Sequence, residues 1–471
     1  MPLAEYRAAD ATTLAGWVAQ GAVSPAELLN AALAEAEAAA HLGAICQMLP
    51  HLAEAALPGV DRAAPFAGVP LLVKDLGGAL AGAPTWAGSR HLRDTAQPAA
   101  QGGAVVGRLR AAGMVPFGKT TVPEFGLNFS TEPAIGPLCR NPWDSTRSAG
   151  GSSGGAAAAV AAGIVPVAHA TDAGGSIRLP AAWCGLVGLK PSRGAVPQGP
   201  DFSTLLGGLA TEFIVSRSVR DSARALQVLA RPPVDGPYLP PLPDGYDADG
   251  LDRPPPPQRI ALLTTAPDGA PPGPAWAAAA ESAARVLQAA GHAVEPADPR
   301  PLSGICTTAR RAFSTFACRN LAAVLDVLSP APDGLEPLNW AVAQRGATLL
   351  PRDFVAQEVA QARMAHDFAV LQRRWGILLT PTASGPPPKL GVLRTDGSDA
   401  MGHFAALARL APYAALANAT GCPAIAVPHG MDASGLPLSV QLLGPPGSEA
   451  ILLGLARTLE QAAPWPILAG A

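Results

Sequence analysis

Charge is what this chain has least of. Asp, Glu, Lys and Arg make up 15% of its 471 residues, against about 25% in ordinary soluble proteins. The net charge is only −3, so no electrostatic argument points to nucleic acid or to an anionic membrane. The six cysteines (Cys46, Cys139, Cys184, Cys306, Cys318 and Cys422) form no C-x-x-C pair and stand at no ligand spacing from histidine. Neither a metal site nor a disulfide framework is therefore expected. Long apolar runs are missing too. The most apolar one, Ala156–Ala168, is broken by Gly163 and Pro166, and a membrane span needs about 20 residues. The N-terminus shows no basic segment followed by an apolar one, so the expectation is a soluble, cytoplasmic protein. G-x-G-x-x-G does not occur, which leaves dinucleotide binding without support.

Low charge combined with 49% hydrophobic residues suits one large core with little surface per residue. Length alone would suggest two or three domains. Apolar spacing predicts helices over Ala11–Trp17, Ser24–Ala40, Ala104–Ala112, Ala156–Ala162 and Ala275–Ala290. Ser24-Pro25-Ala26-Glu27 supplies an N-cap, a proline at the first helical position and an acid in the first turn. Val115–Phe117, Ile164–Ala168, Ile260–Thr264, His292–Glu295 and Ile377–Thr382 read as strands. The stretch 231–257, rich in proline and ending in Pro254–Pro257, reads as a surface insertion rather than core.

The chemistry concentrates in glycine-rich sequence. Gly150-Gly151-Ser152-Ser153-Gly154-Gly155 is followed by Asp172-Ala173-Gly174-Gly175-Ser176-Ile177-Arg178. Glycine lets a substrate approach main-chain N–H groups closely, and hydroxyls placed there can act as nucleophile and proton relay. The chain has only four lysines: Lys74, Lys119, Lys190 and Lys389. Lys74 ends the apolar run Gly68–Val73. An amine buried there must lose its proton or find partners, and a drop to about 7–8 would make it a base near neutral pH. The backbone N–H groups of Ala173, Gly174, Gly175 and Ser176 could converge on a developing oxyanion. Chemistry alone does not rank Ser152 against Ser153.

Those two segments, with Cys184-Gly-Leu-Val-Gly-Leu-Lys190-Pro191 after them, closely resemble the amidase signature family. The resemblance runs from Ser24–Leu28 to Gly435–Gln441. It implies an α/β fold with one large mixed sheet flanked by helices on both faces, hence a single domain over 1–471 with 231–257 inserted. It also implies Ser176 as nucleophile, Ser152 as a bridging serine on a cis peptide and Lys74 as terminal base. Ser153 is left to bond nearby backbone, and Asp172 and Arg178 to brace the loop. Ala173 stands where the family usually carries threonine or isoleucine. Phe125, Asn128 and Cys318 are candidate pocket walls. The implied reaction is hydrolysis of a small organic amide through an acyl-enzyme, with carbamates, lactams and esters in reach and no cofactor or metal; a homodimer stays open. Gly188–Gly194, Gly208–Glu212, Ser216–Asp221 and Tyr413–Gly421 resemble the 6-aminohexanoate cyclic-dimer hydrolase branch.

Three rivals are weighed. Gly150–Gly154 also fits G-x-S-x-G, the nucleophile elbow. That motif needs an apolar strand before it and a histidine partner. The preceding 141–149 is polar, and His366, His403 and His429 have no telling context. The amidotransferase A subunit, which generates ammonia for charged tRNA, reads K-P-T-Y-G-R after the core motif; this chain lacks it. A non-catalytic scaffold is disfavoured by the presence of all three candidate residues.

Overall fold

A computed structural model describes residues 2–197, 205–230 and 247–469. The strands, in chain order, are β1 (Ile45–Met48), β2 (Pro70–Lys74), β3 (Val115–Thr120), β4 (Arg140–Asn141), β5 (Asp144–Ser148), β6 (Val167–Asp172), β7 (Val187–Lys190), β8 (Thr211–Ser216), β9 (Arg259–Leu262), β10 (Ala293–Pro296), β11 (Ile377–Pro381), β12 (Ala424–Met431) and β13 (Pro437–Leu443). Eleven of them form one sheet in the order β1-β3-β2-β6-β8-β7-β12-β13-β11-β9-β10; β4 and β5 make a separate hairpin. The sheet is mixed: β2 runs parallel to β3 and β6, whereas β8 is antiparallel to β6 and β7. This is the large mixed sheet that the family resemblance implied.

Local sequence explains several boundaries. The helix Pro25–Ala38 begins with a full capping box: the Glu27 N–H donates to Ser24 Oγ, and Glu27 Oε2 accepts from the Ser24 N–H. The helix Ala104–Ala111 stops before Gly113, which takes φ +97°, a conformation open to glycine at little cost. One expectation is shifted. Ile164–Ala168 is not a strand; β6 begins at Val167 and runs on to Asp172. Gly163 at φ +86° and Pro166 hold the approach out of extended pairing, and the strand continues through His169, Thr171 and Asp172, polar residues that periodicity alone does not assign to a buried strand. Of the proline-rich stretch, 231–246 lie outside the described residues. Within 247–257, Ala248 is buried and Pro255 packs against Gly454.

The small-residue helix Gly154–Ala161 is buried along its whole length. Its glycines are steric necessities: a Cβ on Gly155 would fall 2.5 Å from Ala44 O and from Thr121 N. That helix packs against β2, β3, β6 and β8, so its first turn is held against the ends of β2 and β6. These neighbours are parallel and end at Lys74 and Asp172. Their carboxyl ends are where an open α/β sheet leaves a crevice. Among the described residues, no helix is long and apolar enough to cross a membrane.

Candidate active site

Lys74 is the last residue of β2 and is fully buried. Its Nζ lies 2.8 Å from Ser152 Oγ and 2.7 Å from Thr171 Oγ1. It has no ion pair among the described residues; Asp172 and Glu212 act on it only at longer range. Burial therefore dominates and lowers the amine to about 7, with those two acids opposing the shift. Ser152 follows Gly151 through a cis peptide. Gly126 faces it from the opposite wall, where a Cβ would sit 3.1 Å from Ser152 Oγ.

Ser176 and Ser152 line one cavity of roughly 320 Å³. The loop carrying Ser176 is held from below. Asp172 Oδ1 accepts the Gly175 N–H at 2.7 Å and Oδ2 accepts the Ile177 N–H at 3.1 Å. The buried Arg178 donates to both oxygens of Asp172, to Gln441 Oε1 and to Asn418 Oδ1. Burial alone would push the Asp172 acid up, but Arg178, with Lys190 and Asn418, holds it well below the usual carboxylate range. Asp172 and Arg178 thus brace the loop. Ser153 Oγ donates to Thr171 O at 3.2 Å and accepts the Thr171 N–H at 3.3 Å, tying the two glycine-rich segments together.

One candidate oxyanion donor is already engaged, since the Gly175 N–H goes to Asp172. The amides of Ala173, Gly174 and Ser176 have no hydrogen bond to the described residues. Of the candidate pocket walls, Phe125 lines the cavity. Asn128 does not: its amide donates to Leu393 O and its carbonyl accepts the Ser130 N–H, which makes it a loop brace. Cys318 is buried in the core and is not among the residues lining the cavity, though its neighbour Ala317 is. The three histidines considered for an elbow lie elsewhere. His366 is exposed, His403 bonds Leu127 O, and His429 bonds Ser282 Oγ.

Several functional neighbours escaped the sequence reading. Thr171, next to the motif residue Asp172, is the second partner of Lys74. Asn418 and Glu212 sit in segments noticed for resemblance rather than for chemistry. Asn418 donates to Asp172 O and Oδ1. Glu212 lies opposite Thr171 on β8 and is fully buried, with Oε1 3.8 Å from His169 Nε2. Burial raises Glu212 to about 8, with Lys74 opposing, and lowers His169 to about 3. The long helix Ser303–Leu328 supplies Phe313, Ala317, Asn320, Leu321 and Val324 to the cavity. No group of three or more His, Cys, Asp or Glu side chains suited to a metal ion occurs among the described residues.

Comparison with known proteins bears on this geometry. The amidase family model matches residues 27–453. The chain belongs to the amidase family. This amidase is 35% identical over 475 residues to the 6-aminohexanoate-cyclic-dimer hydrolase of Pseudomonas sp. (strain NK87), covering 97% of this chain and 95% of the relative. Among solved structures, a 6-aminohexanoate cyclic dimer hydrolase superimposes with TM-score 0.88 at 33% identity, covering 97% of each chain. A bacterial aryl acylamidase of the amidase signature family superimposes with TM-score 0.85 at 25% identity, covering 98% of this chain and 99% of that one.

Proposed function

We propose that this amidase hydrolyses the C–N bond of a small organic amide through an acyl-enzyme on Ser176, with Ser152 as proton relay and Lys74 as base. The observation that carries this reading is the buried Lys74 Nζ, 2.8 Å from Ser152 Oγ, with Ser152 and Ser176 in the wall of one cavity. A lysine brought down to about 7 has a free lone pair at neutral pH, as a general base requires.

Ser176 Oγ forms a bond to the carbonyl carbon. Its proton passes to Ser152 Oγ as the proton of Ser152 passes to Lys74 Nζ. The oxyanion collects the N–H groups of Ala173, Gly174 and Ser176, with Gly175 left out because Asp172 already holds its amide. Collapse breaks the C–N bond, and the leaving nitrogen takes a proton from Ser152, which Lys74 replenishes. Water then attacks the acyl-enzyme by the same relay and frees the acid. Every proton returns to its starting atom. Esters, carbamates and lactams fall within the same chemistry, and the similarity to hydrolases of cyclic and aryl amides supports trying those classes first.

The test is Ser176→Ala, which removes the attacking oxygen and little volume. Amide and ester turnover should vanish with the fold intact by circular dichroism, and a fluorophosphonate should label Ser176 in the wild type. Turnover that survives the substitution, or a label on Ser152, overturns the assignment.

A further inference from the structure

The cavity at Ser176 has a neighbour. A second cavity, roughly 370 Å³, lies on the other side of the same loop: Ala173 and Ser176 line the first, Gly174 lines the second. Phe313 lines both, and a Cβ on Gly174 would stand 3.1 Å from its ring. Phe313 is half-buried and meets Phe404 edge-on, with centroids 5.8 Å apart. Beside that loop, the partition between the cavities is completed by this one side chain, free on part of its surface.

The two cavities differ in charge. Among the described residues, no charged side chain lines the first. The second is largely apolar, with Phe129, Phe404, Leu407 and Met401 in its walls, but Arg310 and Arg311 line it too, and no acid among the described residues does. Neither guanidinium makes an ion pair among the described residues. Arg310 donates to Thr307 Oγ1 at 3.0 Å, and Asp268 lines the adjoining cleft without pairing with it. Arg310 is half-buried and Arg311 exposed, and two arginines with no acid partner among the described residues, set beside an apolar cavity, offer a place for an anion. Arginine is also the side chain best shaped to take a carboxylate through two parallel hydrogen bonds.

An amide has two arms, and the nucleophile loop has a cavity on each side. We propose that the second cavity is a substrate subsite for an apolar arm ending in a carboxylate, held by Arg310 and Arg311, with Phe313 turning to admit it. The substrate class is then a linear amide that carries one free carboxylate at the end of an aliphatic arm: a dicarboxylic half-amide or an N-acyl ω-amino acid. This rests on the reading of Ser176 as nucleophile.

The experiment compares dicarboxylic mono-anilides of increasing chain length with alkananilides of the same length, and N-benzoyl ω-amino acids with N-benzoyl alkylamines. In at least one series the acid should exceed its neutral partner by about tenfold in kcat/KM, an advantage that fades with salt. The Arg310→Ala/Arg311→Ala double variant should lose that advantage while keeping turnover of the neutral compound, which also reports that the variant is folded. Protection of Ser176 from the fluorophosphonate gives a readout independent of turnover: the acid should protect at lower concentration in the wild type but not in the double variant. Equal turnover and equal protection by acid and neutral partner in both series, or a double variant that loses both equally, overturns the subsite. Absence of any label on Ser176 would instead overturn the hydrolase reading on which it rests.

Discussion

Two buried lysines on adjacent parallel strands meet opposite fates. Lys74 ends β2, and Lys119 lies beside it on β3, paired in register with Val73. Both side chains are fully shielded from solvent. Lys119 has an anion: its Nζ is 3.0 Å from Asp75 Oδ1 and also donates to Pro84 O and Thr85 Oγ1. Asp75 in turn accepts from Gln47 and the Trp86 N–H, while burial keeps its acid above the usual range despite Lys119. Among the described residues, Lys74 has only hydroxyls and a carbonyl at hydrogen-bond distance. The same residue type under the same burial becomes an ion-pair partner where a carboxylate meets it and a titratable amine where none does. A buried charge is tolerated only when paired, so the missing carboxylate leaves the Lys74 amine free for the role of base proposed above.

This contrast can be broken at either lysine. The largest effect is expected from Lys74→Met: amide turnover should fall by about 10³-fold, within the usual range for loss of a general base. Esters, with better leaving groups, should lose less, and the midpoint of urea unfolding should not drop. Near-normal amide turnover in this variant would remove Lys74 from the mechanism.

Lys119→Met should do the reverse. It strands Asp75 in the core, at a cost of about 3–5 kcal/mol in unfolding free energy, while the folded fraction keeps its activity per molecule. Adding Asp75→Asn should restore part of the stability. A variant with unchanged stability and lost turnover would show that Lys119, too, serves chemistry.

Titration sharpens the comparison without substitution. In the proposed mechanism the neutral form of Lys74 is the working form, and it prevails above its value of about 7. Amide kcat/KM should therefore be level above that pH and fall about tenfold per unit below it, as the amine takes up a proton. A profile flat down to pH 5 would mean that the amine does not titrate there.

The smallest effect belongs to Thr171→Val, which removes the 2.7 Å partner of Lys74 and keeps the side chain's shape. Loss of one hydrogen bond of about 1 kcal/mol should lower kcat about fivefold and leave KM nearly unchanged. Thr171 also lines the cavity, so a rise in KM alone would show that it acts on the substrate rather than through Lys74.

The site was more legible in the sequence than its surroundings. The serines stand in glycine-rich segments whose sequence alone singles them out, and Lys74 closes an apolar run that left its ammonium no obvious partner. The supporting groups had no such signal. Glu212 and Asn418 come from β8 and from the helix Ala414–Thr420, far along the chain from Lys74 and Asp172, and nothing in their local pattern says which strand or loop they will face. Phe125 reached the cavity, whereas Asn128 was drawn off by Leu393 O and Ser130 N, a choice made by a loop more than 260 positions away.

The sequence by itself thus determined the chemical kit: serines set among glycines, a lysine closing an apolar run, no metal ligands at usable spacing, and too little charge for a nucleic-acid surface. These are local properties, carried by composition and by neighbours a few residues apart. Only the tertiary structure decided what that kit works on and with. It withheld a carboxylate from Lys74 and gave one to Lys119, and it spent the Gly175 amide on Asp172. It also set a second cavity, with two unpaired arginines, across the loop from Ser176. Each of these depends on which distant segments pack together, and a buried group takes its charge, its partners and its reach from that packing.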